Sequence, residues 1–283
     1  MSDILFPRTT VGGISLPRML VGTNWILGYS HTGAAADAMI KSVHHSADAT
    51  VPMIVTALKN GIDAMMAPFT GSPMLVEAVR RAEEIAEHRM ILIDTPGINV
   101  ADTAEGRAEA QATIRKSAEL GATFCLIHHG SAEQLVDKHA RKIRRLDDYT
   151  SMIREAGMLP GLSAHMPELI LYSDQNGYDV ETYIQIYNCM GFLMQIEIET
   201  VSRIIHNAKK PVMTIKPMAA GRCTPYVGLN FSFATLRDCD MVTVGCLNER
   251  ELAEDIEIAR AHFERRMPDL AARATPVAQA VLK

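Results

Sequence analysis

The sequence predicts an α/β protein, a single-domain (β/α)8 TIM barrel over residues 1–283 with an N-terminal β-hairpin. Three observations support this. Eight short runs of apolar and β-branched residues recur along the chain with helical stretches between them, as alternating parallel strands and helices do. Seven of the runs end in reactive residue types: Thr23-Asn24-Trp25, Asp94, His128-His129, Ser163-Ala164-His165, Asn188, Lys216 and Cys246. In a closed parallel barrel the site lies where strands feed into helices, so these positions are where chemistry is expected. The length, 283 residues, suits one barrel of ~250 residues with additions.

The elements follow in order. Two alternating runs around Gly12-Gly13 predict a hairpin, because both glycines can take positive φ. RMLVGTN begins the first barrel strand, and residues 26–60 hold one or two helices. GIDAMMAPF reads as the second strand. Its helix starts with Ser72 as cap and Pro73 in the first turn. RMILIDTPG is the third strand, followed by a helix that stops at Gly121, a C′ glycine. ATFCLIHHG is the fourth, with a charged helix over 131–157, and MLPGLSAH is the fifth. ETYIQIYN is the sixth, with a helix from GFLMQIEIETV onward. PVMTIKPM and MVTVGCLN are the seventh and eighth. The last helix opens on Asn248 with Glu251 three residues on, a capping-box spacing.

Bulk properties narrow the function classes. A hydrophobic share of 48% and a charged share of 22% are those of a globular protein. A net charge of -5 offers no attraction to nucleic acid or an anionic membrane. No apolar run reaches the ~20 residues of a membrane span, and MSDILFPRTT lacks the layout of a signal peptide. Five scattered cysteines without a CxxC pair read as reduced thiols, so a cytoplasmic location is expected. Seventeen methionines, Met66 and Met218 among them, read as flexible core filler. The partner expected is a small-molecule substrate, and a homo-oligomer is compatible with the composition.

Several segments carry a family resemblance in their order along the chain. The hairpin before RMLVGTNW, then NGIDAMMAPFTGSP, LIHH, GLSAH, IQIYN, IKPMAAGR and VGCLNERELAED resemble the aldo-keto reductase superfamily. That resemblance implies a barrel reductase using a nicotinamide cofactor and an Asp, Tyr, Lys and His tetrad. Matched residue by residue, the aspartate falls on Met66, the tyrosine on Phe69 or Thr70, and the lysine near Pro96. Only the histidine, His128, is kept. Ser163 matches a cofactor contact, but the amide-binding asparagine becomes Ala164, and Gln185 stands one residue too close to Tyr187-Asn188. Leu247 replaces the cation that takes a 2′-phosphate. The resemblance therefore implies that NAD(P) binds poorly.

The strand-end residues suggest other chemistry. Phe124, Leu126 and His128 alternate onto one face, which places His128 on the barrel side and His129 on the opposite, packing side. Lys216, among Ile215, Pro217 and Met218, would lose hydration and become a usable base or amine nucleophile. Asp94, His128, His165 and Glu168 offer nitrogen and oxygen ligands for a divalent metal. Asn24, Trp25, Ser163, Asn188 and Arg222 are the candidate substrate contacts, Arg222 for an anionic group. His44, His45, His88 and His139 sit on predicted helices and read as solvated. The favoured expectation is lyase, isomerase or epimerase chemistry on a small hydroxy-carbonyl or sugar-like compound, with His128, Lys216, His165 and Asp94 as acid–base groups. The alternatives are an NAD(P)-dependent oxidoreductase with His128 or Lys216 as a rearranged proton donor, and a non-catalytic small-molecule-binding barrel.

Overall fold

The computed structural model describes residues 6–270. Its first element is an antiparallel hairpin, β1 (Arg8–Val11) with β2 (Ile14–Pro17), in which Val11 faces Ile14. Gly12 and Gly13 take φ of 54° and 82°, the left-handed backbone a two-residue hairpin turn requires. The chain continues through β3 (Met19–Gly22), α1 (Asn24–Leu27), α2 (Ala34–Val43), α3 (Ala47–Lys59), β4 (Ala64–Ala67), α4 (Pro73–Ala86), β5 (Ile91–Asp94), α5 (Ala104–Glu119) and β6 (Phe124–Ile127). It then forms α6 (His129–Ala132), a small hairpin of β7 (Val136–Asp137) and β8 (Lys142–Ile143), α7 (Leu146–Glu155), β9 (Leu159–Ala164) and α8 (Glu168–Asn176). Last come β10 (Thr182–Ile186), α9 (Ile198–Asn207), β11 (Val212–Ile215), α10 (Pro225–Thr235), β12 (Met241–Val244) and α11 (Glu249–Phe263).

Strands β3, β4, β5, β6, β9, β10, β11 and β12 pair in parallel and close into a barrel, with β12 returning to β3. Period-two alternation divides each strand between two cores. Leu20, Ala64, Met66, Ile93, Phe124, Leu126, Ile184, Met213 and Met241 fill the interior. Met19, Val21, Met65, Leu92, Cys125, Ile127, Leu162 and Val242 face the helices. Val11 and Leu16 of the hairpin join the interior set, so the hairpin plugs the N-terminal end of the barrel. The opposite end stays open.

All eight barrel strands and the hairpin fall within the runs that the sequence marks. The helices depart in particular places. The 26–60 connection holds α2 and α3, and the short α1 opens before it on Asn24. Residues 131–157 do not form one helix. A 3-10 turn at Glu133–Leu135, the β7–β8 hairpin and α7 replace it, with Arg141 and Arg145 turned to positive φ between them. The helix after the sixth strand begins only at Ile198, because the chain turns at Gly191 (φ 64°) and Leu193 (φ 56°). Helices α8 and α10 lie in stretches the sequence reading left without helices. In α10 a Thr224 cap accepting from Val227 N and Pro225 at the first position start a helix of otherwise poor helix formers. Ser72 makes no side-chain cap bond, whereas Asn248 accepts from Arg250 N and Glu251 N. His44 is buried instead of solvated, with Nε2 donating to the Leu247 carbonyl at 2.7 Å. Among the described residues no helix is long and apolar enough to cross a membrane.

Close approach between β9, β6 and β10 depends on one glycine. A Cβ at Gly161 would stand 2.6 Å from Leu126 Cγ and 2.8 Å from the Thr182 carbonyl oxygen. Gly161→Ala should therefore cost about 1–3 kcal/mol in urea unfolding. An unchanged midpoint would show that the two strands can move apart freely.

Candidate active site

Beyond the strand ends lies a cavity of about 770 Å³, within the range of small-molecule sites. Asn24, Trp25, Ser163, Lys216 and His165 line it, together with His31, His128 and His129. Met66 and Met218 also reach its wall, so two of the methionines do more than fill the core.

Lys216 is the principal charge in this wall. It follows Ile215, the last residue of β11, and takes φ of 63°; Ala219 and Ala220 are likewise left-handed, at 50° and 55°. Such conformations cost ~1–3 kcal/mol each outside glycine and collect at functional sites. The ammonium Nζ donates to His31 Nε2 at 3.1 Å, and Asn24 Nδ2 lies 3.1 Å from the same nitrogen. Burial lowers the Lys216 pKa to about 8. His31, at the exposed rim, is lowered by partial burial and then by the Lys216 charge. It is therefore neutral near pH 7, with its lone pair on the nitrogen that faces the ammonium.

Three more imidazoles stand beside it. His128 and His129 rings lie 4.2 Å apart, and His129 stacks on His165 at 3.8 Å with 20° between planes. Burial is the main cause that brings His128 to about 4 and His165 to about 3; neighbouring histidines and Lys216 add to it. His129 is lowered by burial too, against the opposing charge of Glu133. His128 Nδ1 accepts from Gly130 N at 3.2 Å, so the neutral ring carries its proton on Nε2.

His129 corrects one expectation. The alternation that sends it to the far side of the barrel stops at Ile127, where β6 ends. His128 caps α6 and His129 is its first helical residue, so both rings reach the cavity.

Four other candidates lie elsewhere. Asp94 shares the outer face of β5 with Leu92, fully buried under the helices. It accepts from Phe69 N at 2.8 Å and from the Ser117 hydroxyl. Burial raises its pKa against those hydrogen bonds. It is a structural anchor and not a metal ligand or acid–base group of the cavity. Glu168, in the first turn of α8, pairs with Lys138 at 2.8 Å and does not join His165. Asn188 is buried and folds its own loop, accepting from Met190 N and Phe192 N and donating to the Phe192 carbonyl. Arg222 stacks over the Phe192 ring at 3.8 Å and donates to the Ala219 carbonyl, outside the cavity wall. Gln185 is also fully buried away from the cavity, and its Oε1 has no partner among the described residues. The metal-ligand geometry falls on a different set: His129, Glu133 and His165, with ligand atoms within 4.8 Å of one another.

Sequence reasoning missed His31 and Glu133. His31 lies in a polar Ser-His-Thr-Gly loop after the first strand, and loops at that end carry function. Glu133 stands four residues after His129, the spacing of one helical face.

No family model matches the sequence, and no curated protein does. The matches are structural. A presumptive aldo-keto reductase from Pseudomonas aeruginosa superposes with a TM-score of 0.63 at 17% identity, over 93% of this chain and 99% of that one. An aldo-keto reductase from Klebsiella pneumoniae, solved in complex with NADPH, gives 0.60 at 12% identity over 95% and 93%. An aldo-keto reductase from Brucella melitensis gives 0.57 at 16% identity over 89% and 92%. The barrel shares the fold of these aldo-keto reductases. Its solved neighbours correct the favoured expectation of lyase, isomerase or epimerase chemistry, since they are mostly aldo-keto reductases and side with the oxidoreductase alternative. Of the three strand-end residues whose separation would favour a non-catalytic barrel, His128 and Lys216 line one cavity, whereas Asp94 is buried outside it under the helices.

Asp94→Ala should lower stability by on the order of 1–3 kcal/mol in urea, because Phe69 N and Ser117 lose a buried acceptor. Ligand binding in the cavity should persist. Loss of binding without loss of stability would return Asp94 to the site.

Proposed function

We propose that this protein is a nicotinamide-dependent reductase of small aldehydes or ketones, with Lys216 as the proton donor in place of the missing tyrosine. The observation that carries this reading is the Lys216 ammonium at the cavity wall, lowered to about 8 and held on His31 at 3.1 Å. An acid with a pKa near the working pH is the most effective proton donor. Met66, Phe69 and Thr70 offer no such acid at the family's positions.

The cavity suits a flat ring better than it suits phosphates. Gly22, Gly97 and Gly245 leave its wall bare, and a Cβ at Gly245 would meet Trp25 Cδ1 at 3.4 Å. Trp25, Ser163 and Ile215 would hold the nicotinamide. At the end where the resemblance places the adenosine, Glu251 lines the cavity and Leu247 stands in place of a cation. A carboxylate there accepts from ribose hydroxyls and repels a 2′-phosphate. When bound, the reduced cofactor supplies a hydride to the carbonyl carbon.

The chain's residues handle the oxygen. The His128 Nε2–H donates to the substrate carbonyl. The alkoxide formed as the C=O π pair moves onto oxygen takes a proton from Lys216 Nζ. Lys216 is left neutral and regains its proton from solvent at the His31 rim.

NADH should bind at least ~10-fold more tightly than NADPH, a difference of about 1.4 kcal/mol, in a titration followed by reduced-cofactor fluorescence. Equal affinity, or none for either, would remove the proposal. The pH dependence has a fixed sign. Reduction needs charged Lys216, so kcat should be flat below about 8 and fall roughly tenfold per pH unit above it. A rate that rises through that range would exclude Lys216 as the acid.

A further inference from the structure

The reductase reading uses His128 and Lys216 but leaves His129, Glu133 and His165 unexplained. We propose that these three residues form a binding site for one divalent first-row transition metal ion, open to the cavity beside His128. One ligand atom from each lies within 4.8 Å of the others. The site is built from two elements that the fold brings together. His129 and Glu133 stand four residues apart, on α6 and the 3-10 turn that continues it, and His165 follows the end of β9.

Glu133 is held in place before any ion arrives. Its Oε1 accepts from His165 N at 2.6 Å and from Met166 N at 3.0 Å, which fixes the carboxylate beside the His165 ring. Its second oxygen is free of both bonds. Backbone bonds that orient a ligating carboxylate are a general feature of metal sites, whose supporting hydrogen bonds matter nearly as much as the ligands. The imidazoles are available as well. Among the described residues no hydrogen bond occupies a ring nitrogen of His129 or His165, and both rings line the cavity. Two imidazole rings thus stack half-buried at the cavity wall, with ring nitrogens open to an ion.

Two imidazoles and one carboxylate select a zinc- or iron-class ion over magnesium or calcium, which take oxygen ligands. Three protein ligands with an open position leave room for water or a substrate oxygen, the coordination of catalytic rather than structural sites. Bond lengths of about 2.0–2.1 Å require the ligand atoms to draw in from the spacing seen, by rotation of the two stacked rings. The alternative role for the cluster is packing, with Glu133 as a clamp on the loop after β9.

The test needs neither cofactor nor substrate, so its failure leaves the reductase reading standing, and the reverse. Full-length protein without a polyhistidine tag, stripped by a chelator, is titrated with Co(II) and followed by visible d–d absorption. Zn(II) stoichiometry is checked by equilibrium dialysis. One ion per chain is expected. Affinity should fall at least ~10-fold in His165→Ala, His129→Ala and Glu133→Gln, and stay unchanged in His206→Ala. Glu133→Gln keeps the shape of the clamp, so it remains informative where a histidine variant fails to fold. Absence of saturable binding, or binding that survives all three changes, would overturn the site.

Discussion

The half-buried ammonium of Lys216 is the constraint around which this cavity is arranged. A lysine at a strand end would normally extend into water. Here Lys216, the residue after β11, is left-handed, two further left-handed alanines follow, and the side chain is returned against His31. The backbone strain and the lost hydration both oppose folding, and the packed barrel beneath must offset them. In return the fold holds a cation whose proton is loosely bound and directed into a cavity. Four imidazoles surround it, and its charge helps keep each of them neutral.

Under the proposed reductase reading, that arrangement would exchange one acid for another. A phenol on the second strand's loop needs a neighbouring lysine and aspartate to bring its pKa down. A lysine on the seventh strand needs only burial, because removing water already destabilises the charged form. The absence of Asp, Tyr and Lys at the positions where the resemblance would put them is coherent with that proposal. Met66 serves instead as apolar cavity wall and Phe69 as buried packing. His128, with its proton on Nε2, is the residue the proposal assigns to orient the carbonyl whichever group supplies the proton.

The barrel was legible because period-two patterning and strand-end chemistry are local signals. Runs such as MILI and VMTI are short and apolar and are followed within a few residues by turn-forming Pro96-Gly97 or Pro217. The site was less legible for three physical reasons. Alternation says which face a residue takes only while the strand lasts, and it failed at His129, two residues past the end of β6 and the first residue of α6. The same alternation, applied to Asp94, would have placed it with Leu92 among the helices; a polar type at a strand end outweighed its register. His31 and Glu133 depend on contacts between segments far apart in the chain, His31 with Lys216 and Glu133 with His165, which no spacing rule reports. The 131–157 segment was misread because charged residues at helical spacing also suit a short hairpin whose turns need left-handed arginines.

The central claim is that carbonyl reduction in this barrel draws its proton from Lys216. It is tested most directly with NADH carrying deuterium at both C4 positions, incubated with a panel of short aldehydes and ketones, comparing the native protein with Lys216→Met. Deuterium should appear on the carbinol carbon of the product with the native protein. It should appear at least ~100-fold more slowly with the methionine variant, the low end for loss of a positioned acid, while NADH affinity is retained. Equal rates of deuterium transfer in the two proteins, or no transfer to any carbonyl by the native chain, would contradict the account.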